Sequence, residues 1–371
     1  MKRVLRALVI ATAASAVIAA PAIAAPEEGD RAGLQRRLDD VVAVGAVGAL
    51  AEVRDEHGVW RGTSGVAELG TTRPVPVHGR FRVGSITKTF TATVVLQLVN
   101  EGRLRLDDTV ETWLPGVVPD GHRITVRHLL NHTSGLYDYR LTLPLPPKPE
   151  FLENRWRTWT AAELAQRAVA NPPTFEAPGS AFAYSNTNYI LLGQIVEEVT
   201  GQSYSEEIER RVIGPLRLRD TEMPGTSPWI RGPHPRGYMP IELQRNVEPQ
   251  LVDYTEMNPS VFGAGGEMIS SARDLNRFVV ALLGGHLLPR QLLDEMRAPG
   301  IEGGKYGLGL AWRDTSCGVR VYGNDGDALA YQSWSFSTQD GHHQVTVALT
   351  PDFRGDPDDA VDAFLSKAIC A

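Results

Sequence analysis

Short apolar runs and longer helical stripes alternate along this chain in an orderly way. Near the start, Val47 to Val53 and Trp60 to Val66 flank the turn Asp55-Glu56-His57-Gly58, which predicts two strands joined as a hairpin. A third short run, Arg80 to Val83, leads into Gly84. From Ser85 the period changes, and Ile86, Phe90, Val94 and Leu98 recur on one helical face as far as Gly102. Shorter helical pieces follow at Thr125 to Leu130, Thr160 to Ala170, Tyr189 to Thr200 and Ser270 to Leu283, with Ser270 or Ser271 as N-cap of the last. Strand character returns at Leu308 to Trp312, Val319 to Tyr322, Gln332 to Phe336 and Gln344 to Leu349, and Asp358 to Lys367 reads as a closing helix. Strands from both ends thus bracket a helical middle. The expected fold is α/β (α+β): an antiparallel sheet built from both termini, with flanking helices and an all-helical insertion. The α/β part covers about 32–95 and 300–371, and the mainly helical part about 96–299.

Composition narrows the function. The 371 residues, 42% hydrophobic and 22% charged, suffice for one large domain with a core. With 37 basic against 44 acidic residues and no long basic run, a nucleic-acid partner is not expected. The first residues look like an export signal: Lys2, Arg3 and Arg6, then an uncharged stretch from Ala7 to Ala20, then Ala22-Ile23-Ala24. Residues 1–24 are read as a signal peptide and 25–371 as one secreted domain, the alternative being an uncleaved anchor. No later segment is a candidate span, because the long apolar helices carry Gln97, Asn100, Glu197 and Glu198, so stable membrane insertion is not expected. The only two cysteines, Cys317 and Cys370, are too few for a thiolate zinc site. An oxidising compartment would allow them to pair, the alternative being two separate buried thiols.

The sharpest local feature is Ser85-Ile86-Thr87-Lys88, where a strand run gives way to a helix. Positions three apart share a helical face, so the Lys88 amine can approach the Ser85 hydroxyl. Burial would lower the lysine pKa and let it accept the serine proton, while the helix N-terminus favours a developing oxyanion. The plain alternative is a serine N-cap with a solvated lysine. Tyr184-Ser185-Asn186 forms a polar loop before the Tyr189 helix. A tyrosine there can relay a proton, and an asparagine amide can orient a lysine and an acyl carbonyl. Its plain reading is a helix entry.

Taken together, Ser85-x-x-Lys88, Tyr184-x-Asn186 and Asn324-Asp325-Gly326 resemble the serine penicillin-recognising enzymes: DD-peptidases, class C β-lactamases and related esterases. The likeness is nearest to secreted actinobacterial D-alanyl-D-alanine carboxypeptidases. It runs through Phe81 to Lys88, Leu96-Gln97-Leu98-Val99, Ser134 to Tyr139, Tyr184 to Asn188, Tyr306 to Leu310 and Ser316-Cys317-Gly318, and so spans essentially the whole mature chain. The resemblance implies a β-lactamase/DD-peptidase-like fold and an acyl-enzyme on Ser85. Lys88 and Tyr184 would share acid and base work, and Asn186 would position Lys88 and the substrate amide. The oxyanion hole would be the backbone N–H groups of Ser85 and Asp327. The resemblance also implies a Cys317–Cys370 disulfide, and it calls for no cofactor.

The recognition segment departs from the family. Where His-Thr-Gly or Lys-Thr-Gly is usual, this chain has Asn324-Asp325-Gly326, and the family's carboxylate-binding arginine is replaced by Ala311. Two like charges about 4 Å apart at an effective dielectric of about 20 repel by roughly 4 kcal/mol, the wrong direction for a terminal carboxylate. Asp327 adds a second acid, and Arg313 offers partial rescue. The alternative is an Asp325 turned away or paired with Arg313. The expectation is therefore a serine acyl hydrolase with altered leaving-group recognition, acting on a small peptide, amide or ester. Aminopeptidase, esterase and transacylase or peptide-cyclase chemistry share that site, and a non-catalytic penicillin-binding sensor is the competing class. Sequence leaves the oligomeric state open.

Other features carry less. His128 and His132 sit four apart without an accompanying metal motif, Gly263-Ala264-Gly265-Gly266 reads as a tight loop near the cleft, and Trp156, Arg157 and Trp159 read as a surface cluster.

Overall fold

Ten strands and a set of helices account for the residues the computed structural model describes, 28–244 and 247–370. The expected signal peptide lies outside them. A helix over Glu28–Gly45 (α1) precedes the first strand; the hydrophobic pattern above did not assign it. Its Leu34, Leu38 and Val41 recur at three- and four-residue spacing and are buried, which is why this polar segment docks as a helix.

The strands are β1 (Ala46–Asp55), β2 (Gly58–Gly65), β3 (Arg80–Arg82), β4 (Tyr238–Ile241), β5 (Gln250–Asp253), β6 (Ile269–Ser271), β7 (Ala311–Asp314), β8 (Arg320–Asp327), β9 (Gln332–Thr338) and β10 (Gln344–Pro351). Six of them form one antiparallel sheet in the order β2-β1-β10-β9-β8-β7, so the two ends of the chain meet at its centre. Alternate residues face opposite layers. Ala49, Ala51 and Val53 join Trp334, Val345 and Val347 against α1 and the C-terminal helix Asp358–Ile369. Leu50 and Ala348 face the other way, into the main core with Phe81, Phe90 and Phe278. Phe90 comes from the helix Thr87–Asn100 (α2) and stacks on Phe278 of the helix Ala272–Leu283. Each such side chain contributes about 1.5–3 kcal/mol by leaving water.

Three features position the site. First, β3 pairs with β6, and Arg82 is buried, donating to the carbonyls of Pro228, Thr255 and Met257 and so tying β3 to the inserted loops. Second, the chain turns from β3 into α2 at Gly84, whose φ of +54° is a left-handed value; a Cβ there would also meet the Asp327 backbone at 2.6 Å. Third, a Cβ on Gly326 would come within 1.9 Å of the Val83 carbonyl oxygen. Two glycines thus let β8 lie directly against the turn that carries Ser85.

Candidate functional site

Helix α2 opens with Thr87-Lys88-Thr89-Phe90-Thr91 and continues through Thr93, a run of β-branched residues that is poor for an isolated helix. The hydroxyls offset that cost by bonding elsewhere in the fold. Thr89 Oγ1 donates to Gly309 O at 2.8 Å, and Thr91 Oγ1 to Ala264 O at 2.7 Å. The helix is therefore pinned to the Gly307–Gly309 and Gly263–Gly266 segments, which flank the lysine.

Lys88 has no exposed surface. Its Nζ lies 3.0 Å from Ser85 Oγ, 2.9 Å from Asn186 Oδ1 and 2.7 Å from Gly265 O. The last two atoms only accept, so they take two N–H bonds, and the third tetrahedral direction points at the serine. Burial, helped by the nearby Arg140 charge, brings the amine down from 10.5 to about 7 despite the opposing fields of Asp138 and Asp325. At neutral pH a substantial share of the lysine is an amine with its lone pair aimed at Ser85 Oγ.

Tyr184 completes the constellation, its hydroxyl donating to Ser85 Oγ at 2.7 Å. The residue leaves 41% of its surface open to the cleft. Loss of water, followed by the field of Tyr306, raises the phenol well above its usual range. It is a neutral proton donor. With that bond made, the serine's own proton is left for the lysine.

Two supporting residues had no role assigned from sequence. Asp138 Oδ2 accepts from Asn186 Nδ2 at 2.8 Å, while its Oδ1 accepts from the Arg140 N–H at 3.0 Å. A carboxylate cannot donate, so Asp138 fixes which end of the Asn186 amide faces Lys88. His132 is fully buried and stacks on the Tyr184 ring with centroids 4.2 Å apart. Its Nδ1 receives the Ser185 N–H at 3.2 Å, and burial, then the Lys88 charge, keeps the ring neutral. His128, by contrast, caps its own short helix through Thr125. The sequence signal for these roles was thin: Asp138 stood in a matched segment without a partner, and only the loop that brings it 48 residues along to Asn186 gives it a purpose.

The opposite wall is the edge of β8. Strand β7 covers β8 only as far as the Ala311–Gly323 pair, leaving residues 324–327 with one free side. Ala328 N donates to Tyr331 O at the turn into β9, so even-numbered residues of this segment bond inward and odd-numbered ones face outward. The Asp327 N–H therefore points out of the free edge, beside the Ser85 N–H, which lies 2.9 Å from where a Gly326 Cβ would sit. The Ser85 and Asp327 backbone nitrogens thus lie close together at this edge.

The side chains on this wall divide. Asn324 is buried and points back to α2, its Nδ2 donating to Thr89 Oγ1 at 3.2 Å. Asp327 Oδ1 is taken by the Leu329 N–H at 2.7 Å. Asp325 turns to Arg313 at 3.5 Å, and Arg313 also binds Asp362 of the C-terminal helix at 2.6 Å. Of the two expectations for Asp325, pairing with Arg313 is the one found. Arg313 is accordingly committed to two carboxylates and is not an open substrate cation. Away from the cleft, Cys317 and Cys370 form a disulfide. Trp159 is buried rather than on the surface, while Trp156 is exposed.

A family model described as Beta-lactamase matches residues 34–370. The fold is similar to a D-stereospecific amidohydrolase from Streptomyces sp., with 44% identity and a TM-score of 0.81, covering 90% of this chain and 98% of that one. It is also similar to the D-amino acid amidase from Ochrobactrum anthropi SV3 complexed with L-phenylalanine amide, with 28% identity, a TM-score of 0.79 and coverage of 92% and 98%. Among curated relatives, Penicillin-binding protein 4* of Bacillus subtilis (strain 168) is 30% identical over 230 residues, which are 59% of this chain and 48% of that protein. The chain thus spans about half the length of that relative.

Proposed function

We propose, from the premise that the chain belongs to the beta-lactamase family and is a serine hydrolase of it, that it hydrolyses D-amino acid amides or short peptides with an N-terminal D-residue. The observation that carries this reading is the missing carboxylate site. Position 311 is alanine, and the nearest guanidinium, Arg313, is bound by Asp325 and Asp362. Asp358 nearby has its carboxyl raised by burial first and then by the surrounding aspartates, so this edge has more acid than base. A free C-terminal carboxylate meets Asp325 and an already paired Arg313 there, with the exposed Lys305 as the remaining cation of that pocket, whereas a carboxamide or amine leaving group meets no repulsion. The likeness to a D-stereospecific amidohydrolase and a D-amino acid amidase supports the same choice over a carboxypeptidase.

In this reading Ser85 Oγ attacks the amide carbonyl as its proton passes to the Lys88 amine. The resulting oxyanion lies between the Ser85 and Asp327 N–H groups. Tyr184, a neutral phenol, protonates the departing nitrogen, and the C–N bond breaks to leave an ester on Ser85. The proton on Lys88 restores the phenol, and water then cleaves the ester with the same groups in reverse roles. The signal-like N-terminus and the disulfide support secretion as part of the proposal.

The test is a substrate panel on purified protein: D- and L-phenylalanine amide, D-Ala-D-Ala, and a p-nitrophenyl ester. The D-amide is expected to exceed both its L-isomer and the free-acid dipeptide in kcat/KM. Best turnover of the dipeptide acid would overturn the reading, and an ester-only profile would favour an esterase.

A further inference from the structure

A second site, independent of the catalytic reading, lies away from the cleft, at the far end of β1. A cavity of about 560 Å³ opens between the end of β1, the Arg217–Arg219 turn and the first turns of the Ala272–Leu283 helix. Five arginines line it: Arg54, Arg217, Arg219, Arg273 and Arg277. This concentration stands out in a chain whose net charge is −7. Two of the five are already paired, Arg54 with Glu52 at 2.7 Å and Arg273 with Asp220 at 2.8 Å. The lining acid, Asp274, is buried and accepts from the Asp220 N–H and the Thr221 hydroxyl. Among the described residues, Arg217, Arg219 and Arg277 have no ion pair or side-chain hydrogen bond, and all three are exposed. Three uncompensated guanidinium groups therefore face one concavity.

The groove is separate from the cleft. Gly326 beside Ser85 pairs across the sheet through Ser333 and Ala348 to Leu50, and Arg54 lies four residues further along β1. At about 3.3 Å per residue that is some 13 Å along the strand alone, so a ligand bound here leaves the catalytic serine open.

We propose that this groove binds phosphate groups, on a soluble phosphate compound or on a lipid headgroup. Guanidinium groups take oxyanions in paired hydrogen bonds, and a phosphate offers several equivalent oxygens and more than one charge for several arginines to share. A carboxylate offers two oxygens and one charge. Nothing covalent is involved, and no further group is required.

The experiment uses the purified protein and the triple variant R217Q/R219Q/R277Q, with R105Q/R231Q/R290Q as a charge-matched control on other exposed arginines. Calorimetry with inorganic pyrophosphate, and with citrate as the carboxylate counterpart, is paired with sedimentation on phosphatidylcholine vesicles with and without phosphatidylglycerol. Pyrophosphate binding that weakens about tenfold or more in the groove variant and little in the control supports the proposal. Vesicle binding with the same dependence assigns the source to a lipid headgroup; pyrophosphate binding without it assigns a soluble phosphate. No binding of either probe, equal binding by the two variants, or citrate binding as tight as pyrophosphate overturns it. Far-UV circular dichroism and thermal melting serve as the fold control for both triple variants.

Discussion

On the α2 side of the cleft, Lys88 and Asn186 are buried, and the Lys88 amine and both ends of the Asn186 amide have fixed partners. On the β8 side, the Asp325 side chain is 52% exposed and holds a single ion pair, to an arginine it shares with Asp362. The first wall is rigid because any displaced donor there would be left unsatisfied away from water. The second is an exposed ionic cluster whose members interact weakly and through solvent. Chemistry is therefore built into the part that cannot move, and leaving-group choice into the part that substitutions change cheaply.

Removing the reacting groups is the largest perturbation. Ser85→Ala and Lys88→Met are each expected to lower kcat by about three orders of magnitude or more while the protein stays folded. Intact mass after exposure to a fluorophosphonate reads the same residue: an adduct on the native chain that vanishes in Ser85→Ala. No adduct on the native protein, with any such reagent, would favour the non-catalytic sensor.

Tyr184→Phe comes next, with a loss of about a hundredfold. The pH profile separates it from Lys88. Because the working base is the free amine and its pKa is lowered to about 7, kcat/KM should fall tenfold per unit below that point and level off above it. Tyr184→Phe lowers the plateau without moving the limb. Glu267, buried and raised to about 7, could mimic that limb, so an unchanged limb in Glu267→Gln is required. Stability carries the matching sign. Between about 7 and 10.5 the unfolded chain holds the lysine proton that the folded one has lost, so stability rises with pH across that window. Lys88→Met should remove that slope in Tm.

How much of this was legible in the sequence follows the same division. Ser85, Lys88, Tyr184 and Asn186 sit in short segments whose order along the chain carried a family likeness, and the fold brings them within hydrogen-bond reach of one another. The sheet was readable because its inward residues alternate, as Ala49, Leu50 and Ala51 do. Helix α1 was missed because its apolar positions are few and surrounded by charge. The fate of Asp325 was open for a different reason: its electrostatics depend on Asp362, on a helix that packs against the sheet only in three dimensions. His132 was spaced for a metal pair and is used as a stacking platform instead.

Asp138 tests whether the rigid wall extends beyond the reacting groups. Asp138→Ala frees the Asn186 amide to rotate and place its Nδ2 against Lys88, so kcat should fall about ten- to a hundredfold. Asp138→Asn can still accept from Asn186, and most of the activity should return. Asp138→Leu keeps the volume without the acceptor, so it should lose as much kcat as Asp138→Ala. Activity retained in Asp138→Leu would place Asp138 among the packing residues.

The smallest expected effect is on the β8 wall. Replacing Asp325 by Thr and Ala311 by Arg supplies a hydroxyl and a cation where this chain has an anion and a methyl group. In water-exposed surroundings the full Coulomb figure does not apply: Arg313 already offsets part of the charge, and salt screens the rest. About a tenfold fall in KM for a free-acid D-Ala-D-Ala peptide is the reasonable size, with kcat for a D-amide nearly unchanged. The effect should shrink as ionic strength rises from about 0.01 to 1 M, where the screening length drops from about 30 to 3 Å. If acid and amide substrates respond alike, or if salt makes no difference, the carboxylates on this strand do not read the leaving group, and the selectivity must come from the acyl side of the cleft.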